Sequence, residues 1–321
     1  MLVLRQPVPL PPATAACIGA FDGLHLGHQA LVGHARALQP RVALVTFDPH
    51  PARVLAPARA PVLLQSAGQR SRVCAALGID ALVLLPFDRT LAATSPADFV
   101  ANLLVDGLRP AAVVVGPDFR FGAGRGGSTT DLADLLRPAG IPVAVVDLVA
   151  DAAHAKISSS NIRAAVTAGE VELAARMLGR WYAVEGQVVH GARRGRELGA
   201  RTANVDAPHA LLPRPGIYAG ALGIPGTADL WPAAISLGHN PTFGPDAPLS
   251  LEVHALDVDL GERLYDATVE VLFAARLRDE LRFPNPDELA AQISRDIAEV
   301  RARITPADLA ARCAPYLSPA P

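Results

Sequence analysis

The stretch 15-AACIGAFDGLHLGHQ-29 decides the reading of the fold. Four apolar residues run into a glycine-rich turn, and the turn runs into helix-forming residues, which spells strand, tight loop and helix in succession. Gly19, Gly23 and Gly27 let the backbone turn sharply and approach a ligand closely. A helix starting near His28 offers unpaired N–H groups and its positive dipole end, a ready place for a phosphate. His25 and His28 flank Gly27 and can both face that place. Imidazole suits it, because it donates hydrogen bonds to oxygens on which charge accumulates without arginine's permanent charge. Taken alone, an H-x-G-H string is more often two solvated histidines in a turn.

The alternation extends outward from this unit to about residue 180. Strands are expected at 42-VALVTF-47, 81-ALVLL-85, 112-AVVV-115 and 142-PVAVV-146, and helices at 28–38, at 69–77 closed by Gly78, and at 95-SPADFVANLL-104. The last has Ser95 at the N-cap and Pro96 at the first helical position. Strands that are apolar throughout, alternating with helices, indicate a parallel sheet buried on both faces. Two more helices, Ser159 to Ala168 and Val171 to Leu178, are separated by Gly169 and closed by Gly179, residues suited to C-caps. From Tyr182 the pattern becomes 182-YAVEGQVV-189, 216-GIYAGAL-222, 233-AAISLG-238, 250-SLEVHALDV-258 and 268-TVEVLF-273, set off by glycine and proline. That reads as an antiparallel barrel or sandwich. Leu289, Ile293, Ile297 and Val300 mark one buried stripe of a helix over 286–303. Two domains are expected: an α/β domain over 1–180 and a β-barrel with a terminal helix over 181–321.

Composition narrows the function classes. The chain has 321 residues, 50% hydrophobic and 19% charged, with a formal net charge of −2, so no basic field exists to hold a nucleic-acid backbone. The apolar runs fall far short of the roughly 20 residues of a membrane helix. Four prolines interrupt the first 17 residues, unlike a secretory signal, and a cytoplasmic, membrane-free protein is expected. Cys17, Cys74 and Cys313 are odd in number and widely spaced, fitting neither a disulfide framework nor a zinc site. Lys156 is the only lysine and stands in A-K-I, which excludes a G-K-[ST] phosphate loop. Trp181, Trp231, Tyr218 and Tyr265 read as barrel core or rim, and His34, His154, His190 and His209 as surface residues.

Three further segments sit where an open α/β sheet binds ligands, or at a helix start: 46-TFDPHP-51, 115-VGPDFRFGAGRGG-127 and 157-ISSSNIR-163. In the last, serines can cap a helix and bind phosphate oxygens, and Arg163 can take a diphosphate. Gly122, Gly124 and Gly127 also spell G-x-G-x-x-G, with Asp147 after the next strand, so a dinucleotide-binding dehydrogenase is a formal rival. Against it, the strand ends at Val115, several residues before Gly122.

The string G-x-F-D-G-x-H-x-G-H together with 157-ISSSNIR-163 resembles the signature of the nucleotidylyltransferase superfamily. With the intervening loops, it closely resembles the bacterial bifunctional riboflavin kinase/FAD synthetase family. The second half agrees in order and spacing with that family's kinase domain through 184-VEGQVVHGARRGRELGARTANV-205, 211-LLPRPGIYAGAL-222, 235-ISLGHNPTF-243, 252-EVHALD-257 and 276-RLRDELRF-283. The resemblance implies a Rossmann-like FMN adenylyltransferase domain and a riboflavin kinase barrel. Their ligands would be riboflavin, FMN, FAD and ATP, with Mg²⁺ and with no nucleic acid or membrane; homo-oligomerisation stays open.

Carried over by motif, His25, His28 and Arg163 act in adenylyl transfer. Gly19, Phe21, Asp22, Gly27, Asp48, Asp118, Phe119, Arg120, Phe121, Ser158 and Ser159 form the nucleotide and flavin site. Thr202 and Asn204 hold Mg²⁺ and ATP phosphates, and Glu252 is the base for the ribityl hydroxyl. Oxygen donors suit magnesium, and a carboxylate suits an alcohol proton. Against that role, Leu251 and Val253 around Glu252 also fit an ordinary outward charge on an alternating strand. Ala200 and Arg201 stand where the family has an aromatic residue and a proline, and losing that proline leaves the loop less preorganised. A divergent paralogue that keeps only adenylylation is therefore the alternative, and a non-catalytic flavin or nucleotide sensor a third reading.

Overall fold

The apolar runs of the first half pair into a six-stranded sheet, parallel throughout, in a computed structural model that describes residues 1–147, 156–190, 202–239, 249–258 and 264–317. Its elements are β1 (Leu2–Leu4), β2 (Thr14–Ile18), α1 (Leu26–Leu38), β3 (Arg41–Asp48), α2 (Pro51–Leu55), α3 (Ala67–Ala76), β4 (Ala81–Pro86), α4 (Arg89–Ala93), α5 (Pro96–Asp98), β5 (Ala112–Val115), α6 (Thr129–Leu136) and β6 (Val143–Val145). The order is β1-β4-β3-β2-β5-β6. Every residue of β2 and β5 is buried, as strands covered on both faces require. The edges are less covered, and β1 escapes a reading by pattern: it is three residues long, with Leu2 opposite Ala81 and Leu2 and Val3 still exposed.

Ser95 caps the helix at Pro96 as expected, its hydroxyl oxygen accepting from the Asp98 N–H. Beyond Asp98 the winding differs from the α-helix expected over 95–104. Phe99–Leu108 is π-helical and closes with the Arg109 N–H on the Leu104 carbonyl, five residues back, at 2.8 Å. A side chain at Gly107 would sit 2.9 Å from Pro7, so the chain passes there too closely for a Cβ.

The second half forms α7 (Ser159–Ala168), α8 (Val171–Leu178), β7 (Tyr182–Val189), β8 (Ala203–Asp206), β9 (Gly216–Gly223), β10 (Leu230–His239), β11 (Leu249–Ala255), β12 (Thr268–Arg278), α9 (Pro286–Arg303) and α10 (Pro306–Leu317). The strands close into an antiparallel barrel in the order β10-β11-β8-β7-β12-β9, with β9 and β10 paired to complete it. Following the registers round the barrel puts Val184, Val205, Leu251, Ile235, Tyr218 and Phe273 on one face, all buried, so that face is the interior. Gly169 and Gly179 adopt φ of 81° and 75° at the ends of α7 and α8, the left-handed conformation a C-cap needs.

By contact, the chain separates into residues 1–61 with 74–157, and residues 62–73 with the chain from 158 onward. The sequence pattern changes at 180, but α7 and α8 go with the barrel. The Glu172 carboxylate accepts from the Arg276 N–H of β12 at 3.2 Å, and Gly169 lies against Tyr218 and Arg276.

Gly220 faces the barrel interior, where a Cβ would lie 1.9 Å from the Leu272 carbonyl oxygen and 2.7 Å from Ile235. Gly220→Ala is expected to cost about 1–3 kcal/mol of barrel stability, because neither neighbour can retreat far in a closed interior. Chemical denaturation followed by tryptophan fluorescence measures it, since Trp181 and Trp231 are the only tryptophans and both belong to the barrel unit.

Candidate active site

The loop after β2 is held in a tight, inward-turned conformation. Phe21, Gly23 and Leu24 have φ of 47°, 87° and 42°, and Phe21, Asp22 and Leu24 are almost wholly buried. Two non-glycine residues in the left-handed region within four positions are costly and persist only where the surroundings impose them. Those surroundings are specific. The Gly19 N–H donates to the Val45 carbonyl at 3.1 Å, the Thr46 hydroxyl to the Ala20 carbonyl at 2.9 Å, and the Gln29 amide to the Leu24 carbonyl at 3.0 Å. Gly19 leaves room for the Phe21 ring, from which a Cβ would be 3.3 Å.

His25 is the N-cap of α1. Its Nδ1 accepts from the His28 N–H at 3.3 Å, which requires that nitrogen to be unprotonated and leaves Nε2 as the proton-bearing donor. The His25 and His28 rings stack at 3.6 Å with 17° between their planes, and the Phe21 ring meets His28 edge-on at 5.0 Å. Gly27 permits this stack, since a Cβ there would lie 3.1 Å from the His25 ring and 3.9 Å from the Ile157 carbonyl oxygen. The chain leading into α7 thus passes the histidine turn. Two stacked imidazoles at the positive end of a helix can serve as a donor set for an anion.

The other loops of this sheet end at the same carboxyl edge. Asp48 closes β3, exposed, 3.7 Å from Arg5, and His50 caps α2. After β5, Phe119 and Phe121 stack at 5.7 Å; Phe121 is buried against Phe99, while Asp118 and Arg120 are exposed. Lys156 bonds Asp118 at 2.6 Å and holds its carboxyl below the ordinary range, chiefly through that hydrogen bond. The G-x-G-x-x-G string here is not a phosphate turn. Phe121 and Gly127 pair as a two-residue antiparallel bridge, Gly122 packs on Pro96, and Ala123–Arg125 is a single 3₁₀ turn. Gly122 and Gly127 make room for the Pro96 and Phe121 rings, so the dinucleotide reading fails.

In the barrel unit, the Ser158 hydroxyl caps α7, accepting from the Asn161 N–H at 3.3 Å, and Ser159 and Arg163 are half-buried in the first turns. Asn204 of β8 stands directly opposite Glu252 of β11, which in turn stands opposite Ser236 of β10. Their neighbours Val205, Leu251, Val253 and Leu237 point inward, so Asn204, Glu252 and Ser236 form one row on the barrel's outer face. The Ser250 hydroxyl donates to the Glu252 carboxylate at 3.4 Å. Thr202, two residues before Asn204, shares its parity and is half-buried. Sequence reasoning overlooked β8 and Ser236. β8 is only four residues long, and Ser236 gains meaning only through its register with Glu252. Ala200 and Arg201, with 240–243 of the N-P-T-F motif, lie outside the described residues. Among the described residues no three His, Cys, Asp or Glu cluster as a metal site.

Comparison with known proteins agrees with both halves. The family model described as FAD synthetase matches residues 9–161, and that described as riboflavin kinase matches 178–304. A bifunctional riboflavin kinase/FMN adenylyltransferase of Pseudomonas fluorescens is 35% identical over 298 residues, covering 91% of this chain and 93% of its own. One of Escherichia coli (strain K12) is 37% identical, covering 87% and 89%. A solved structure from Streptococcus pneumoniae, described as a macrolide-efflux protein, superposes with a TM-score of 0.81 at 27% identity, covering 94% of this chain and 98% of that one. Among the described residues, no helix is long and apolar enough to cross a membrane.

Proposed function

The chain belongs to the bifunctional riboflavin kinase/FMN adenylyltransferase family and makes FMN from riboflavin and FAD from FMN, using ATP in both steps, and we propose how its residues divide that work. Residues 1–180 carry adenylyl transfer and residues 181–321 carry the kinase. What supports this division is a histidine pair at a helix start in one half and a carboxylate registered against the T-A-N strand in the other.

In adenylyl transfer, a phosphate oxygen of FMN attacks the α-phosphorus of ATP and pyrophosphate leaves. No covalent enzyme intermediate is needed, so the protein's part is to position the reactants and stabilise charge. His25 donates through Nε2 to an α-phosphate oxygen, because its Nδ1 is committed to the cap. His28 donates beside it from the stacked ring. Arg163 and the α7 start with Ser158 and Ser159 take the departing pyrophosphate. Gly19 and Gly27 keep the approach open, Phe21 and Asp22 hold the turn, and Asp48, Asp118, Phe119, Arg120 and Phe121 shape the flavin and nucleotide pocket.

In the kinase step, the ribityl 5′-hydroxyl oxygen attacks the γ-phosphorus, its proton passes to Glu252, and ADP leaves. Thr202 and Asn204 would hold magnesium together with ATP phosphates. Their neutral oxygens fit an ion that takes most of its ligands from phosphate and water. Bound there, it would draw charge from the phosphate oxygens. We place the enzyme in the cytoplasm, where ATP and flavins meet.

Incubating the chain with Mg²⁺-ATP and, separately, riboflavin or FMN tests this reading, with the flavins resolved by chromatography. FAD from both incubations is expected. FAD from FMN alone, with riboflavin untouched, would overturn the kinase assignment.

A further inference from the structure

Residues 62–73 belong by sequence to the first half, inside the stretch matched as FAD synthetase, yet by contact they belong to the barrel unit. What they touch there is unusual. Glu185 of β7 and Glu270 of β12 stand directly opposite each other on the barrel's outer face, and Glu270 is wholly buried. Two carboxylates in direct register repel, and a buried charge without a partner is among the costliest groups a protein can hold. Arg72 of α3, itself 6% exposed, places its Nη2 against both carboxylates. The Gln69 amide donates to Glu270 Oε2 at 2.7 Å and to the Ala183 carbonyl at 3.2 Å, and the Ser66 hydroxyl donates to Glu185 Oε1 at 2.6 Å. Gly68 makes the approach feasible, since a Cβ there would lie 3.1 Å from Arg72 and from Glu185.

We propose that residues 62–73 are a strap that completes the barrel unit, with Arg72 the counter-charge that lets β7 and β12 carry two facing carboxylates on their covered side. The strap leaves the sheet unit after residue 61 and returns to it at residue 74. A barrel cut from the chain at 158 or 180 would lose this counter-charge. The naming of the barrel as a kinase rests on the reading above; the strap itself does not.

Burial pushes the Glu270 carboxyl up to about 8 against the pull of Arg72. Glu185 adds to the rise, and Tyr316 of α10, bonded to Arg180, also faces Glu270. A carboxyl raised in the folded state favours folding at low pH, and that advantage is lost as pH climbs from its unfolded value toward 8. Removing Arg72 raises Glu270 further and carries the loss to higher pH.

The test is a double-mutant cycle in the full chain, read by tryptophan fluorescence, which reports the barrel unit because Trp181 and Trp231 both lie in it. Arg72→Met is expected to lower the unfolding midpoint by at least about 5 °C at pH 8. The gap to the unmodified chain is expected to widen from pH 6 to pH 9. Adding Glu270→Gln should recover more than half of the loss, and Arg72→Lys should fall between Arg and Met. An Arg72→Met barrel that folds only when Glu270→Gln is added also supports the strap. An unchanged midpoint, a loss with no rescue, or a pH-independent gap would each overturn it. Riboflavin phosphorylation, assayed separately, bears only on the kinase reading.

Discussion

His28→Ala is expected to cut FAD formation from FMN about 10²–10³-fold while riboflavin is still phosphorylated at the rate of the unmodified chain. His28 lies on the first turn of α1, its ring stacked 3.6 Å from His25 and held edge-on by Phe21. A donor preset toward charge that develops only in the transition state is worth about 10²–10³ in rate, and its loss appears in kcat rather than in FMN binding. Stopped assays of FAD from FMN and of FMN from riboflavin, run on one preparation, separate the two steps. His25→Ala carries a second penalty, because removing the cap costs α1 about 1 kcal/mol as well as the donor. The two variants should therefore differ in stability but agree in their lost product. If His28→Ala removed both activities while barrel fluorescence stayed native, the proposed division of labour would be wrong.

Glu252→Gln is expected to do the converse, with FMN formation falling about 10²–10⁴-fold and FAD from supplied FMN unchanged. The amide keeps the size of the side chain and its place opposite Asn204 and Ser236, so the loss would report the missing proton acceptor and not a disturbed strand. If kinase turnover survived Glu252→Gln, the glutamate would be an ordinary outward charge of an alternating strand. The base would then have to be sought elsewhere on the same face.

Much of the sheet unit could be read because its signals are local. Continuous apolar runs between helix starts mark strands covered on both faces, and Ser95 acts where its own backbone chemistry predicts, as Gly169 and Gly179 do at the helix ends of the barrel unit. The stacked histidine turn at the start of α1 was legible as a candidate anion site for the same reason: glycine, histidine and helix start lie within a few residues. β1 and β8 were not legible. Each is a short segment that becomes a strand only because a neighbour, β4 or the pair β7 and β11, presents hydrogen-bonding groups to it.

The sequence by itself determined the two-part α/β and β-barrel plan, the glycine- and histidine-rich turn at 19–29 before α1 and the family to which the chain belongs. All of these rest on residues close together along the chain or on patterns that repeat along it. Only the tertiary structure decided what depends on register and on distant partners. It set Glu252 beside Asn204 and Ser236, and it turned Gly122 and Gly127 of the G-x-G-x-x-G string into room for Pro96 and Phe121. It also carried residues 62–73 to the barrel, where Arg72 meets Glu270 from 198 positions away. Cross-strand pairing and charge burial join residues by space, and no spacing along the chain announces them.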